Sequence, residues 1–318
     1  MKKISYIFSF ILAGLILISC QDKAPDKKPK KVQVISSFSI LTDILYEIGK
    51  DSIEVHNLAP VGTDPHEYEP VPEDIKFATN ADLFVQNGMH LEGGDNGWFS
   101  KLTKSVNADK NRIVKASENV EPIYLIGEGK IKNEEVNPHS FISPVVGIEM
   151  AKTIGESLIA VDPDNKEFYQ KNMEDYLAKL KEVEAEYREK FASIPQENRY
   201  FMASEQAFQY LVQEYGLQEG FIWAVDTEEN GTPDQIKNAI AFVKKYNPPV
   251  LFVESNVDSR PMETVSKETG VPIYYPAIYS DELGKPGEVA DTYLTYLQYN
   301  LKHIYDGLMR DRKVETKD

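Results

Sequence analysis

One uninterrupted helical segment near the middle of the chain limits the architectures that are possible. It reads KEFYQKNMEDYLAKLKEVEAEYREKFASI, residues 166–194, has no internal Gly or Pro, and places apolar side chains at helical spacing. At about 1.5 Å per residue such a helix spans roughly 40 Å, about the width of a domain. The 318 residues of the chain are enough for about two domains. The segment therefore predicts a rigid helix that joins two lobes.

Strand and helix patterns alternate on both sides of this segment. Short apolar runs read as strands, at 32–35 and 81–88 before the helix and at 199–203, 250–255 and 271–278 after it. Helical spacing is found between them, at 144–159, 206–215, 261–269 and 292–309. The alternation favours an α/β fold whose two lobes each contain a parallel-type sheet flanked by helices. We expect an N-terminal lobe at 32–162, a linking helix at 163–194, a C-terminal lobe at 195–309 and a charged tail at 310–318.

The N-terminus predicts secretion and a lipid anchor. Two lysines precede an apolar run of 15 residues, which is short for a membrane span of about 20 residues and typical of a signal peptide, here residues 1–19. LISC (17–20) also resembles the bacterial lipobox, which predicts that Cys20 becomes the lipidated first residue of the mature chain. The alternative is a cysteine that merely ends the signal sequence. Residues 20–31, rich in Lys and Pro, read as a flexible tether to the membrane.

Composition excludes some classes of protein. The apolar fraction of 42% is that of a globular protein, and the net charge of −16 makes nucleic acid an unsuitable partner. The chain contains no GxxxxGK[ST] motif, so it does not hydrolyse ATP by the P-loop route. Cys20 is the only cysteine, so neither an intrachain disulfide nor a thiolate metal site is possible.

Four polar residues occupy comparable places at the ends of predicted strands or before helices. They are His66 in GTDPHEYEP, His139 in NPHSFISP, Glu205 after the strand at 199–203, and Asp281 in YSDELG. Ligands of open α/β sheets bind at the carboxyl ends of the strands, and each lobe supplies one pair of these residues. Taken singly, each has an ordinary alternative as a solvated histidine, a helix cap or a turn residue.

Together, these motifs resemble a known family. The chain looks like the metal-binding lipoproteins that feed transition metals to bacterial ABC importers. The motifs that carry the resemblance are GTDPHEYEP (62–70), NPHSFISP (137–144), SEQAF (204–208), FVESNVDSRPMETV (252–265) and YSDELG (279–284). The resemblance implies two α/β lobes joined by one long helix, with a metal ion in the cleft held by His66, His139, Glu205 and Asp281. It also implies a membrane permease and a separate ATPase as partners, and we expect a monomer on the extracellular face of the cell membrane.

The donor set indicates which metal is preferred. Two imidazoles and two carboxylates form a harder set than three histidines, which favours Mn²⁺, with Zn²⁺ or Fe²⁺ as alternatives. Zinc-importing relatives typically carry a His-rich loop, whereas residues 121–138 contain no histidine. Because Mn²⁺ is the weakest binder in the Irving–Williams order, we expect Zn²⁺ to bind at least as tightly in vitro.

The middle motif departs from the family pattern. The family usually has Asp-Pro-His followed by a tryptophan and an Asp or Asn, whereas this chain has Asn137, Phe141 and Ser143 at those positions. His139, which the resemblance implies as a ligand, is retained. We therefore expect altered packing and hydrogen bonding around the site rather than loss of metal binding.

Two other classes of function are alternatives to metal delivery. A secreted metalloenzyme would need three protein ligands and an open position, and the chain has no HExxH or GxSxG motif. A catalytic cluster could be imitated by Glu254, Asp258 and Arg260, but a salt-bridged turn is the simpler interpretation.

Members of the family have also been described as adhesins, although no repeat or wall-anchoring tail is present here. The other three histidines, His56, His90 and His303, read as structural or solvated.

Overall fold

The computed structural model describes residues 30–127, 130–225 and 231–312. Its strands are β1 (Val32–Phe38), β2 (Ile53–Ala59), β3 (Leu83–Gln86), β4 (Ile113–Lys115), β5 (Tyr124–Gly127), β6 (Lys130–Val136), β7 (Tyr200–Met202) and β8 (Gln218–Gly220). Its helices are α1 (Ser39–Gly49), α2 (Pro72–Ala78), α3 (Trp98–Ser105), α4 (Pro144–Val161), α5 (Lys166–Ala192), α6 (Gln209–Glu214), α7 (Pro233–Tyr246), α8 (Arg260–Thr269) and α9 (Tyr293–Leu308).

The N-terminal lobe is built on a four-stranded parallel sheet in the order β2-β1-β3-β4. Its inner strands are almost continuously buried, and most of their residues are apolar, such as Val34, Leu83 and Val85. This is the pattern of a parallel sheet that helices cover on both faces. The strand expected at 32–35 forms as β1 and extends to Phe38.

The C-terminal lobe repeats the parallel arrangement with less regular strands. β7 pairs with β8, and the segment 250–255 lies on the other side of β7, where the Phe252 N–H donates to the Met202 carbonyl at 2.8 Å. The strands predicted at 250–255 and 271–278 are reduced to isolated parallel bridges between these two segments. Pro272 and Pro276 explain the interruption, since proline has no N–H to donate to a ladder.

α5 is the long helix that joins the lobes. It runs over 27 residues, close to the 166–194 expected, and packs against α1, α4 and α9. Its buried side chains include Tyr176, Leu180 and Tyr187, and the Tyr187 hydroxyl donates to the Leu297 carbonyl of α9 at 2.7 Å. Gly155 of α4 has no side chain because a Cβ there would collide with Met173 of α5. The mixed α/β fold with a linking helix is confirmed, while the lobe boundaries stay a prediction.

The structure has one pair of strands that the sequence did not predict and one helix that begins later than expected. β5 and β6 pair as antiparallel strands, although the charged sequence of β6, KIKNEEV, has no apolar alternation that would predict a strand. The helix expected at 206–215 begins later, at Gln209, because residues 204–206 pair with the segment around Trp223.

Several predictions concern the two ends of the chain. The signal peptide at 1–19, Cys20 and most of the tether lie outside the described residues, as do residues 313–318 of the charged tail. Among the helices of the described ranges, none is both long enough and apolar enough to cross a membrane.

Candidate metal centre

His66 lies in the loop between β2 and α2, and local bonds fix that loop. Gly62 turns the chain with a φ of 88°, a conformation that glycine adopts without strain. The Asp64 carboxylate accepts a hydrogen bond from the His66 backbone N–H at 2.7 Å, and the Trp98 indole donates to the Pro65 carbonyl at 2.9 Å. The imidazole is therefore presented on a restrained backbone.

His139 is fully buried and held by the residue two positions before it. The Asn137 side-chain oxygen accepts from both the backbone N–H and the ring Nδ1–H of His139, each at 3.0 Å. Because the amide oxygen can only accept, this bond places the ring proton on Nδ1. The other nitrogen, Nε2, is left with a free lone pair facing the centre of the site.

Glu205 follows β7 at the start of the C-terminal lobe. Its backbone N–H donates to the buried carboxylate of Glu254 at 2.9 Å, and the Ser204 N–H donates to the same group at 3.2 Å. Glu254 thus positions the turn that carries Glu205. It takes no part in the salt bridge that was predicted for the turn of Asp258 and Arg260. In that turn Asp258 and Arg260 do pair, at an exposed position.

Asp281 uses one carboxylate oxygen for support and the other for the site. Oδ2 accepts from the Asn256 side chain at 2.9 Å and from the Ser280 hydroxyl at 3.0 Å. Oδ1 is buried and accepts no hydrogen bond from the described residues, and it lies 3.1 Å from His139 Nε2 and 3.9 Å from His66 Nε2. Burial of a carboxylate oxygen without a partner is unfavourable, so a positive charge nearby would stabilise it.

The structure brings three of the four predicted residues into one cluster and places the fourth, Glu205, beside it. The donor atoms of His66, His139 and Asp281 lie within 4.8 Å of one another, and Glu205 Oε1 lies 3.6 Å from His139 Nε2. The two Nε2 atoms are 3.1 Å apart. Donor atoms that share one ion at about 2.0–2.2 Å lie roughly 3 to 4 Å from each other. The arrangement therefore has the size of a site for a single ion.

Burial and charge shift the titration of these groups. Burial lowers the pKa of His139, whereas for His66 the neighbouring Asp281 and Asp64 outweigh the effect of burial and raise the pKa. Burial raises the pKa of Asp281, yet the two imidazoles pull it well below its ordinary value. Burial, followed by repulsion from Asp281 and Glu254, raises the pKa of Glu205 well above its ordinary value.

The other histidines have structural partners or lie apart from the site. His56 Nε2 is 2.6 Å from the Asp74 carboxylate, and its ring stacks on Phe77. His303 Nδ1 is 3.1 Å from the Tyr274 hydroxyl. His90 lies in a turn with a φ of 69° and takes no part in the cluster of donor atoms.

The sequence did not predict how other residues support the proposed ligands, although one signal was present. Asp64-Pro65-His66 and Asn137-Pro138-His139 have the same Asx-Pro-His spacing. In both, the Asx oxygen accepts the backbone N–H of the histidine. Glu254 and Asn256 carry no such signal, because they meet the site only through the folding of distant segments.

Comparison with known proteins identifies the family. Residues 34–307 match the model of the family described as ZnuA, zinc-uptake complex component A, periplasmic. The chain belongs to this family. The match covers both lobes and the linking helix, and it includes all four candidate ligands.

Individual relatives are similar over nearly the whole chain. The manganese ABC transporter substrate-binding lipoprotein PsaA of Streptococcus mitis is 42% identical over 312 residues, which are 98% of this chain and 100% of the relative. The metal ABC transporter substrate-binding lipoprotein FimA of Streptococcus parasanguinis is 42% identical over 310 residues, 97% of this chain and 99% of the relative.

A solved structure shares the fold. The cadmium-bound periplasmic metal binding protein from Candidatus Liberibacter asiaticus aligns with a TM-score of 0.78 at 29% identity, covering 88% of this chain and 100% of that one. The manganese-bound form of the same protein aligns with a TM-score of 0.76.

Proposed function

We propose that the protein captures one divalent metal ion, with Mn²⁺ as the physiological cargo, and delivers it to an ABC permease. The observation that carries the proposal is the buried cluster of His66, His139 and Asp281 donor atoms, with Glu205 Oε1 at 3.6 Å from His139 Nε2. His66, His139, Glu205 and Asp281 are the proposed ligands. The names of the relatives, which include manganese lipoproteins, support the same cargo.

The site suits capture better than catalysis. A catalytic metal usually has three protein ligands and an open position for water or substrate. Here four side chains face the centre, and the side chains of His139, Glu205 and Asp281 are almost completely buried. An ion in this position would be enclosed rather than offered to a substrate, so we propose a binding protein and not an enzyme.

The donor set favours manganese without excluding tighter binding of zinc. Carboxylate oxygens are hard donors, and either Glu205 or Asp281 could bind through both oxygens to give more than four donor atoms. This suits Mn²⁺ better than tetrahedral Zn²⁺. We propose that selection depends on supply and on release to the permease, with Zn²⁺ bound at least as tightly in vitro.

Delivery requires partners that the chain does not contain. Because it has no P-loop motif, a separate ATPase must drive transport through the permease. We propose that a lipid on Cys20 holds the protein at the outer face of the cell membrane, with residues 20–31 as the tether. The relatives named as lipoproteins support this location.

The test is a metal titration of residues 21–318 after removal of bound metal, with Mn²⁺ and Zn²⁺ in separate experiments. We expect one tight equivalent of each ion, abolished in His139→Ala and retained in the matched control His303→Ala. Binding of Zn²⁺ without Mn²⁺ would instead assign a zinc importer. Binding of neither ion would contradict the proposed function.

A further inference from the structure

Asn137 is a fully buried amide at the contact between the two lobes. Its oxygen accepts both N–H groups of His139, as described above. These two bonds need only an acceptor, and a carboxylate would supply one equally well. They therefore explain the orientation of His139 but not why an amide stands at this position.

The amide nitrogen makes the second set of contacts. Nδ2 of Asn137 donates to the Gln206 backbone carbonyl at 2.7 Å and to the Gln209 side-chain oxygen at 3.0 Å. Both acceptors belong to the C-terminal lobe, and Gln206 directly follows Glu205. The Asn137 side chain thus bonds to His139, a proposed ligand in the N-terminal lobe. It also bonds to the backbone next to Glu205, a proposed ligand in the C-terminal lobe.

The partners of this amide cannot change roles. The Gln209 nitrogen already donates to the Tyr124 carbonyl at 3.0 Å, so its oxygen must face Asn137. The Gln206 side-chain oxygen accepts from the Ile126 N–H at 3.2 Å, and its backbone carbonyl can only accept. A carboxylate at position 137 would therefore face two buried acceptor oxygens without a proton between them, which is costly.

We propose that Asn137 is a positioning residue that sets His139 and Glu205 relative to each other before the ion arrives. This inference rests on the proposed function, because it assumes that both residues hold the ion. The side-chain oxygen of Asn137 fixes the tautomer of His139, and its side-chain nitrogen connects the His139 loop to the Glu205 turn by hydrogen bonds. Donors held in place in advance do not have to be ordered by the ion, so dissociation of the ion is slowed.

Two substitutions separate the two roles of the amide. Asn137→Asp keeps an acceptor for His139 but removes both donor contacts to the other lobe. Asn137→Ala removes both roles. The matched control is Asn198→Asp. Asn198 is also a buried amide, distant from Asn137 in the sequence, and its side-chain nitrogen donates to the Leu308 backbone carbonyl at 2.8 Å.

The measurements are Mn²⁺ affinity and dissociation rate for the mature lipoprotein in detergent, with the His139 tautomer read by ¹⁵N NMR in the metal-free state. For Asn137→Asp we expect about 10- to 100-fold weaker binding, mainly through faster dissociation, with the Nδ1–H tautomer retained. For Asn137→Ala we expect weaker binding and a mixture of tautomers. Asn198→Asp should bind as the wild type does.

Three results would overturn the inference. They are wild-type affinity in Asn137→Asp, an equal loss of affinity in Asn198→Asp, and an unchanged tautomer in Asn137→Ala. If Asn137→Asp does not fold, Gln209→Met is the alternative, because it removes one of the two acceptors and should still weaken binding. Wild-type affinity in Gln209→Met would also contradict the inference. Failure of the wild type to bind Mn²⁺ would refute the proposed function instead.

Discussion

Each proposed histidine ligand is presented by a residue two positions before it. Asp64 and Asn137 accept the backbone N–H of His66 and His139, and a proline stands between the two members of each pair. Proline fixes one backbone angle, and the Asx oxygen fixes the turn that follows. Such loops lose little conformational entropy when an ion binds, which favours tight binding.

The pH dependence of affinity follows from the protonation of these ligands. The pKa of His66 is raised by its carboxylate neighbours despite burial, and the pKa of Glu205 is raised well above its ordinary value by burial. Both groups must lose a proton to bind a metal ion. We therefore expect Mn²⁺ affinity to fall as the pH decreases from 7.5 to 5.5, with protons released on binding.

Isothermal titration calorimetry in buffers of different ionisation enthalpy would measure both effects. His303→Ala serves as the control, because His303 contacts Tyr274 rather than the site and should leave the pH profile unchanged. An affinity that stays flat over this pH range would contradict ligation by histidine and by a Glu205 that must lose its proton to bind the ion.

At this scale the sequence predicted the four residues that meet but not what supports them. His66, His139, Glu205 and Asp281 could be placed from their motifs and from the strand ends before them. Glu254 could not, because its role depends on a backbone turn about fifty residues away in the chain. Hydrogen bonds of this kind become visible only once the segments are folded together.

Among the elements, α5 was the most predictable and the strands of the C-terminal lobe were the least. The segment combines apolar residues at helical spacing with an absence of Gly and Pro, and the structure gives it as a helix over Lys166–Ala192. The segment 271–278 has strong strand formers but also two prolines, so its pairing is reduced to isolated bridges. Apolar composition alone does not reveal this loss.

The packing of α5 predicts a large cost for a cavity in its buried face. Leu180 is completely buried in the main core. We expect Leu180→Ala to lower the free energy of unfolding by about 2–5 kcal/mol, because the variant loses buried apolar surface and leaves a cavity. Urea denaturation would measure this change.

The matched control is Lys181→Ala, at the next, exposed position of the same helix. It should change the free energy of unfolding by less than about 0.5 kcal/mol. Equal stability of the two variants would show that α5 is not packed as described.

The contact between α1 and α9 predicts a pH-dependent stability. The Asp43 carboxylate of α1 accepts from the Tyr293 N–H at the start of α9 at 2.9 Å, and burial raises its pKa from 3.8 to about 6. Since the folded protein prefers the protonated form, its free energy of unfolding should decrease as the pH rises from about 4 to about 6. The decrease attributable to Asp43 is at most about 3 kcal/mol.

Asp43→Asn keeps an acceptor oxygen but cannot ionise. Urea denaturation at pH 4.5 and pH 7.5 should therefore show that the variant gains stability relative to the wild type at the higher pH. The same difference between the two proteins at both pH values would contradict the assignment to Asp43.

For the whole molecule, the linking helix restricts how the lobes can move. The described residues from Lys31 onward pack as one compact unit, and α5 contacts α1, α4 and α9 rather than crossing between the lobes as an exposed hinge. Hydrogen bonds also join the lobes beside the site, as at Asn137 and Gln206. Large hinge closure needs a few free residues to absorb the rotation, and this packing leaves none in α5.

We therefore expect little change of shape on metal binding. Small-angle scattering of the metal-free and Mn²⁺-loaded protein should give the same radius of gyration within error. A resolved contraction on loading would contradict the rigid connection and indicate closure of the hinged type.

Anomalous diffraction at the manganese edge, from crystals loaded with Mn²⁺, locates the ion directly. We expect one strong peak between the lobes, within coordination distance of Nε2 of His66, Nε2 of His139 and carboxylate oxygens of Glu205 and Asp281. A peak elsewhere, or one that these four side chains do not surround, would contradict the proposed site.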